Sequence, residues 1–476
     1  YWFLIFPVFS GFYYLFTTFE NKRTVFLATF LFGIGYFVAG LNWIGNALLV
    51  EGNEFKWVWP LAVIALPIVL SFFTALFTTV AHIISDKKSA IGFLCFCALL
   101  SLSEFARGNV FTGLPWNLYG YTWLGLMPIA QTTSLIGPYG LTLLTILWGS
   151  TFGFFYIQKQ NGILLVAILT LTFLASFAYG QIRLGTAEVI YNENVQVKII
   201  QPNIAQEFKW NPQELANNFE KLVKLSQNTG NKKTVIIWPE TSVPPTLINS
   251  LTAKERFQSF LKENEVILLA GALAIYPDAN NQKAEYHNSL FLFDGQNKPQ
   301  NLYSKSHLVP FGEYIPFQKF IPLKPVVNFS GFKKGNGPTT LNIEGYPTLS
   351  PQICYEIIFP NRSISKAHRK PDYILTVTND AWYGDSAGPR QHFSIARFRA
   401  IEQGIPVIRS ANTGISGLID PYGRVIEKLD LFEEGSITHD FPNPLINKTL
   451  YGRFNDIFYF FTAIFFGLLS FYHRKM

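Results

Sequence analysis

The chain has 476 residues and a formal net charge of +7, and 16% of its residues are aromatic while only 14% are charged. A soluble globular protein carries about 25% charged residues, so this composition excludes an ordinary soluble enzyme and a charge-rich disordered chain. The charges are unevenly placed, because long apolar runs fill the first part of the sequence and residues 192–447 alternate as in a globular protein. We therefore expect a transmembrane helix bundle over 1–181 and a globular domain over 192–447.

Apolar runs that are long enough to cross a bilayer recur along the first part of the chain. A spanning helix needs about 20 such residues. Six runs qualify before the globular region, namely 1–19, 24–49, 57–84, 89–106, 127–157 and 163–180, and a final run, 455–472, follows it. The first run lacks a charged n-region and a small-residue cleavage site. It is therefore predicted to be a span and not a signal peptide, with residues upstream of it missing from this sequence.

Basic residues in the short loops predict the orientation of these spans. If each run crosses once, the basic residues that fall on one side are Lys22, Arg23, Lys87, Lys88, Lys159, Arg474 and Lys475. The side with the excess of basic residues is the cytoplasm. We therefore expect the globular domain on the opposite side of the membrane, in a compartment without ATP.

The globular region alternates predicted strands and helices, with some strands adjacent. Predicted strands cover 195–204, 234–241, 266–276, 347–358 and 372–380 and lie within NSLFLFD, NLYSKSHL and PVIRSANTGIS, while predicted helices cover 211–227, 251–264 and 388–404. This pattern predicts a mixed α/β sandwich with helices covering the faces of the sheets.

Cys354 is the only one of the 3 cysteines in the globular region, since Cys95 and Cys97 fall within a predicted span. An unpaired thiol on an oxidising side of the membrane is either buried as a small apolar residue or used chemically. The flanking sequence PQICYEIIFP, taken alone, leaves both interpretations open.

Three segments place a reactive side chain at the end of an apolar strand: Glu240 in IIWPETSVPP, Lys305 in YSKSHLVPFGEYIPF, and Cys354. Strand ends are where α/β enzymes assemble their sites. A carboxylate can deprotonate a thiol, and a lysine can stabilise an oxyanion. Singly, Glu240 is explained as well by a loop cap and Lys305 by a solvated strand position. Their joint occurrence with Cys354 favours a catalytic site.

The residues around these positions resemble the nitrilase superfamily, in which Glu, Lys and Cys in this chain order form a triad on an α-β-β-α sandwich. WPET, YSKSHLVPFGEYIPF, ICYE and TNDAWYGDSAGPRQH are similar to one membrane branch, the apolipoprotein N-acyltransferases, as is LSEFARGNVFTGLPWNLYGYTW in the apolar part. The resemblance covers nearly the whole chain. It implies a membrane α-helical bundle plus α/β fold, with a nitrilase-like sandwich domain inserted before the last transmembrane helix. The family has eight spans and we count seven, so its first span is expected to be missing here.

The resemblance implies a role for each member of the triad: Glu240 as general base, Lys305 as oxyanion stabiliser and Cys354 as nucleophile. The implied reaction moves a fatty acyl chain from a membrane glycerophospholipid, through a cysteine thioester, to the α-amino group of the diacylglyceryl-cysteine that begins an apolipoprotein. This is the last step of bacterial lipoprotein maturation. The implied location is the bacterial cytoplasmic (inner) membrane, multi-pass, with the catalytic domain on the periplasmic side. Membrane lipids are the other expected partners, and no cofactor, metal or nucleic acid is expected.

Supporting residues follow from the same resemblance. Glu313 is expected to orient Lys305, Trp210 to lie on a loop near the active site, and Tyr355 and Glu356 to act beside the nucleophile. Ordinary packing explains Trp210 equally well. Strand alternation predicts that Glu356, and not Tyr355, shares a face with Cys354.

Other functions compete with this one. The same triad with water as acceptor gives a membrane-anchored amidohydrolase, and a polytopic transporter or receptor needs no triad, although Glu104 and Arg107 are the only charge pair that suggests a transport path. GDSAG also matches the serine nucleophile-elbow pattern around Ser386, with Asp420 and His439 later in hydrolase order. Several residues separate Ser386 from the preceding strand, which disfavours a serine hydrolase.

The segment 311–332 is rich in apolar residues and is predicted to form a lid or a membrane-contacting arm. Lys319 and Lys324 within it are positioned in sequence to meet anionic headgroups. A long surface loop packed on its own domain explains the segment equally well.

Overall fold

The computed structural model describes residues 1–49, 56–227, 229–244, 255, 257, 261, 266–277, 284–294, 299–316, 331–366 and 369–475. The predicted helix 251–264 lies largely outside these ranges. Most of the 311–332 segment, including Lys319 and Lys324, lies outside them as well.

Apolar helices form the first part of the chain at the positions of the predicted runs. They are α1 (Ile5–Thr18), α2 (Lys22–Leu41), α3 (Trp59–Ile84), α4 (Ala90–Asn109), the short α5 (Met127–Ala130), α6 (Thr133–Gln158) and α7 (Ile163–Gly185). Within the described ranges, the helical stretches long and apolar enough to cross a membrane are Lys22–Leu48, Lys56–Ile84, Ala90–Asn109 and Thr133–Gly185, the last of which joins α6 to α7. Trp2–Thr18 and Ile457–His473 are apolar but shorter.

The buried ion pair of α4 organises the loop that follows this helix. Arg107 lies 2.6 Å from Glu104, and neither side chain is exposed. The same guanidinium donates to the carbonyl oxygens of Leu114, Trp116 and Asn117 at 2.6, 2.9 and 3.2 Å. These contacts account for both charges of the pair that the transporter hypothesis invoked. They also fix the loop that Tyr355 of the globular region contacts.

Two mixed sheets follow the apolar helices. The strands are β1 (Tyr191–Gln201), β2 (Lys233–Val243), β3 (Val266–Pro277), β4 (Ala284–Phe293), β5 (Gln300–Ser304), β6 (Leu349–Ile353), β7 (Tyr373–Thr378), β8 (Val407–Ala411), β9 (Ser416–Ile419), β10 (Val425–Leu429) and β11 (Gly435–Pro442). One sheet has the order β11-β1-β2-β3-β4-β5 and the other β10-β9-β8-β7-β6. Three neighbouring strands run parallel in each sheet, β1 to β3 in one and β6 to β8 in the other, where β6 is the edge strand.

The sheets pack face to face through apolar residues of their inner faces, among them Val197, Ile237, Leu375 and Ile408. Helix α8 (Leu215–Ser226) covers the outer face of the first sheet, and α9 (Ala387–Gln403) covers that of the second. Helix α9 also packs against α6 of the apolar part. The short α10 (Leu450–Phe454) then leads to the final apolar helix, α11 (Ile457–Lys475). The predicted α-β-β-α sandwich inserted before the last apolar helix is therefore confirmed.

The predicted strand 347–358 is wrong in its second half. Strand β6 ends at Ile353, and Cys354–Ile358 form a 3-10 helix that begins with Cys354 in a left-handed conformation, at φ +51°. The backbone N–H of Ile353 donates to the carboxylate of Glu356 at 2.8 Å, which a straight strand cannot allow. The face that Glu356 takes therefore does not follow from strand alternation.

Candidate active site

The three predicted reactive residues come from strands of both sheets. Glu240 lies in β2, Lys305 directly follows β5, and Cys354 directly follows β6. Their residues are only 6%, 1% and 7% exposed. The Lys305 ammonium lies 3.7 Å from Glu240 Oε1, and the charges of both groups act on the Cys354 thiol. The fold thus brings an acid, a base and a sulfur together inside the sandwich.

The Glu240 carboxylate is held by a hydrogen bond on each oxygen. Oε1 accepts from Asn288 Nδ2 at 2.7 Å, and Oε2 accepts from the backbone N–H of Asn379 at 2.8 Å. Strand β3 approaches Glu240 closely at Gly271, because a Cβ added to this glycine would lie 2.6 Å from the Glu240 Cα. The carboxylate is therefore fixed in orientation and keeps lone pairs with which to accept a proton.

Glu313 is the closest ion partner of Lys305. The ammonium lies 2.8 Å from Glu313 Oε1, while Glu313 Oε2 accepts from the backbone N–H of Val309 at 2.8 Å. Burial alone would lower the pKa of Lys305, but the carboxylates of Glu313 and Glu240 outweigh burial and raise this pKa. Lys305 is therefore a permanent ammonium within the site, and Glu313 fixes its direction.

The Cys354 thiol is protonated at neutral pH. Its pKa is raised to about 12, by burial first and by the charge of Glu240 second, while Lys305 opposes this increase. A thiol of this kind is a weak nucleophile unless a base removes its proton as the sulfur attacks. Glu240, whose charge acts on this thiol, is the candidate for that base.

Glu356 joins the nucleophile turn to the loop that carries Lys305. Its Oε1 accepts from the hydroxyl of Tyr303 at 2.7 Å, from the N–H and hydroxyl of Ser306 at 2.8 and 2.7 Å, and from the N–H of His307 at 3.1 Å. Its Oε2 accepts from the N–H of Ile353. Glu356 therefore supports the site by holding two backbone segments together.

Tyr355 points to the apolar part of the chain. Its hydroxyl donates to the carbonyl oxygen of Gly113, in the loop after α4, at 2.8 Å. The residue after the nucleophile is thereby tied to the helix bundle.

Trp210 lies in the turn that follows β1 and is 39% exposed. The preceding residue, Lys209, is buried, and its ammonium donates to the Glu240 carbonyl oxygen at 2.9 Å and to Thr241 Oγ1 at 2.7 Å. Burial lowers the pKa of Lys209 to about 8. Lys209 thus anchors the turn that carries Trp210 to the backbone of the candidate base.

Several polar residues of the site were not predicted from the sequence. Glu240 accepts hydrogen bonds from Asn288, Asn379 and Lys209. The Nε2 atom of His392 lies 3.1 Å from the carbonyl oxygen of Cys354. His392 belongs to the segment TNDAWYGDSAGPRQH, which was noted only for its resemblance to a family. Nothing distinguishes Asn288 within NSLFLFD except that it is polar in an apolar strand.

The residues of the alternative serine site have other partners. Ser386 caps the start of α9, where its hydroxyl accepts from the N–H of Gly388 at 3.1 Å. Asp420 binds Arg424 at 2.5 Å, and His439 Nδ1 lies 2.9 Å from the carbonyl oxygen of Asp440. The structure therefore does not assemble a serine triad. Among the described residues, no cluster of acidic, cysteine and histidine side chains has the geometry of a metal site.

Comparison with known proteins identifies the family. Residues 196–450 match the carbon-nitrogen hydrolase family, and residues 1–151 match the apolipoprotein N-acyltransferase N-terminal domain. The chain is 36% identical to the apolipoprotein N-acyltransferase of Rhodopseudomonas palustris, over 90% of this chain and 82% of the relative. It is 33% identical to that of Rickettsia prowazekii, over 97% and 92%. Among solved structures, an amidase from Nesterenkonia sp. is similar at 19% identity and a TM-score of 0.38, covering 54% of this chain and 94% of the amidase. From the identity and coverage of the first two relatives, we conclude that the chain belongs to the apolipoprotein N-acyltransferase family.

Proposed function

We propose that the chain transfers a fatty acyl group from a glycerophospholipid to the α-amino group of the diacylglyceryl-cysteine that begins an apolipoprotein. This proposal depends on one observation within a chain of this family, the buried cluster of Glu240, Lys305 and Cys354. The fixed carboxylate of Glu240 and the permanent ammonium of Lys305 lie 3.7 Å apart, and the charges of both act on the Cys354 thiol. Such a constellation suits acyl transfer through a covalent intermediate, because it contains a nucleophile, a base and an oxyanion stabiliser.

The first half-reaction acylates the enzyme. Glu240 takes the proton from Cys354 as the sulfur attacks the ester carbonyl carbon, and Lys305 stabilises the negative charge that develops on the carbonyl oxygen. The C–O bond of the ester then breaks, and the lysophospholipid leaves with the proton that Glu240 returns to it. A thioester on Cys354 remains.

The second half-reaction transfers the acyl group to nitrogen. The amino group of the acceptor attacks the thioester carbon, Glu240 takes a proton from this nitrogen, and Lys305 again stabilises the oxyanion. The C–S bond breaks, and the sulfur recovers a proton. Conversion of an ester to an amide through a thioester runs downhill, so the chemistry needs no nucleotide.

The apolar helices and the family make the chain a multi-pass protein of the inner membrane. We propose further that its catalytic domain lies on the periplasmic side, since the basic residues of the short loops collect on the other side. Both substrates are then lipids anchored in the outer leaflet. The contact between Tyr355 and Gly113 supports a catalytic domain that lies against the membrane, because it holds the nucleophile turn against the helix bundle.

Two-stage labelling of the full chain tests the proposal. Purified protein is incubated with acyl-labelled phospholipid, and a diacylated lipopeptide is added afterwards. Label is expected first on Cys354, in a hydroxylamine-sensitive bond, and then on the peptide amine, as ping-pong kinetics require. Cys354→Ala is expected to take no label, while the matched controls Cys95→Ser and Cys97→Ser, in α4, retain it.

Two results would contradict the proposed function. Release of the label as free fatty acid, with none on the peptide, would identify water as the acceptor and make the chain a hydrolase that uses the same three residues. Full acyl transfer by Cys354→Ser would show that the sulfur is not the nucleophile.

A further inference from the structure

We infer that His392 is a positioning residue, which holds the carbonyl group of Cys354 and thereby aims the thiol at Glu240 and at the acyl donor. The inference rests on the proposed function, since it assigns a role within the same site. It adds a residue that contacts the nucleophile through the backbone carbonyl oxygen of Cys354.

The backbone of Cys354 needs such support. Its φ of +51° lies in the left-handed region, which is disfavoured for a residue with a Cβ. Strain of this kind persists at functional positions only where the surroundings hold the chain in place. Glu356 holds the N–H of Ile353 on one side of the turn. The carbonyl group of Cys354 needs a separate partner.

His392 is that partner. Its Nε2 lies 3.1 Å from the Cys354 carbonyl oxygen, and since a carbonyl oxygen only accepts, Nε2 must carry the proton. The side chain of His392 is fully buried in α9. The ring also packs against Trp116 of the apolar part, at 5.2 Å between ring centroids. The imidazole is therefore enclosed, and its N–H has a single direction.

A second layer fixes the other ring nitrogen. His392 Nδ1 lies 3.0 Å from Asp380 Oδ1 and 3.1 Å from Arg409 Nη2. Asp380 in turn accepts from Thr378 at 2.8 Å and binds Arg409 at 2.5 Å, and the side chains of Asp380, Arg409 and His392 are all fully buried. A histidine with only a packing role would not require contact with a buried ion pair, whose desolvation is costly. These contacts fix the orientation of the ring, while the Cys354 carbonyl oxygen requires the proton on Nε2.

A comparison of two amide variants tests the role of the Nε2 proton. Glutamine reaches as far as histidine Nε2 and carries an N–H there, whereas the shorter asparagine places its amide near the Nδ1 position. We therefore compare His392→Gln with His392→Asn in the full-length protein, and use His439→Gln on β11 as the matched control. The measurements are the rate of thioester formation on Cys354, the KM for phospholipid and the unfolding temperature.

His392→Asn is expected to form the thioester roughly 100-fold more slowly, because a displaced nucleophile loses its alignment. His392→Gln is expected to recover to within about 10-fold of the parent, and KM to stay within about twofold in both variants. His439→Gln should match the parent. Equal rates in the Gln and Asn variants at equal unfolding temperatures, or a loss that appears only in KM, would overturn the positioning role.

Alkylation of Cys354 by iodoacetamide, measured on its own peptide, provides a readout without lipid. It should follow the same order, with the Asn variant slower than both the Gln variant and the parent. If the parent takes no label from phospholipid, the proposed function fails, yet the order of alkylation rates still decides the role of His392. An Asn variant that is alkylated as fast as the parent would contradict this role independently of acyl transfer.

Discussion

The hydroxyl of Tyr355 donates a hydrogen bond of 2.8 Å to the carbonyl oxygen of Gly113, across the boundary between the catalytic domain and the helix bundle. Gly113 has φ +74°, and a Cβ there would lie 2.2 Å from the carbonyl oxygen of Gly108. The loop therefore has little freedom to find another donor.

We expect Tyr355→Phe to leave this buried carbonyl unpaired. The cost should be about 1–3 kcal/mol in the free energy of unfolding, because the desolvated oxygen loses the side-chain donor that Tyr355 provides. Thermal unfolding of the detergent-solubilised protein measures it, and thioester formation should slow in the same variant. Tyr276→Phe, at an exposed position, is the control. An unchanged unfolding temperature in Tyr355→Phe would show that this contact does not stabilise the protein.

Glu240→Gln should lower the pKa of the Cys354 thiol from its value of about 12, because the carboxylate is a charge that raises it while burial persists. The pH dependence of iodoacetamide alkylation at Cys354 measures this shift. Acyl transfer should nevertheless be lost, because the base is gone. An alkylation midpoint that moves upward, or does not move, would contradict the electrostatic assignment of Glu240.

The raised thiol pKa also predicts how stability depends on pH. The unfolded thiol ionises near pH 8.5 whereas the folded thiol stays neutral to about pH 12, so the unfolded state binds fewer protons between these values. The contribution of Cys354 to stability is therefore complete below about pH 8.5 and is lost as the pH rises toward 12. Comparing the unfolding of the parent with that of Cys354→Ala at pH 7 and pH 10 isolates this contribution, and the difference should shift in favour of the variant at pH 10.

Glu313→Gln should remove the carboxylate that lies 2.8 Å from the Lys305 ammonium. Glu313 raises the pKa of Lys305 more than Glu240 does, so this pKa should fall when the Glu313 carboxylate is removed. The loss of a fixed ammonium direction should slow thioester formation by roughly 100-fold without a matching increase in KM. Glu285→Gln, whose carboxylate pairs with Lys333 at the surface, is the matched control. A Glu313→Gln enzyme with parental kcat would exclude Glu313 from orienting Lys305.

Gln391→Leu should loosen the contact between α9 and the helix bundle. Gln391 Oε1 accepts from the indole N–H of Trp43 at 3.0 Å and from that of Trp116 at 2.8 Å. The Trp43 indole keeps the carbonyl oxygen of Gly40 as an acceptor at 3.1 Å, whereas the Trp116 indole loses the acceptor that Gln391 provides, at a cost of about 1–3 kcal/mol if it stays buried. The unfolding temperature should fall and tryptophan emission should shift. Gln300→Leu, at an exposed position of β5, should change neither.

The sequence was sufficient to predict the positions of the apolar helices and the sandwich. Apolar runs are local properties, so the helix bounds lie close to the predicted ones. The pattern of the sequence predicts Glu240, Lys305 and Cys354 at the ends of apolar strands. The structure places Glu240 within β2 and the other two directly after β5 and β6, and their charges interact.

The remaining features depend on contacts that are remote in the sequence. The left-handed turn at Cys354 arises where Glu356 captures the N–H of Ile353, and Glu356 is in turn held by the loop after Lys305, about 50 positions away. Periodicity carries no information on such a contact, so the strand was predicted to continue through Ile358. Asn288 and His392 were missed for the same reason, since their importance lies in the atoms they meet.

Glu356 has a mechanical consequence for a reaction with two large substrates. Because its carboxylate binds the backbone on both sides, the sulfur and the ammonium of Lys305 form one rigid unit. Departure of the first lipid and arrival of the second therefore cannot rely on these two groups separating. Whatever motion exchanges the substrates must come from other segments, while the chemical centre keeps the same shape for both halves of the cycle.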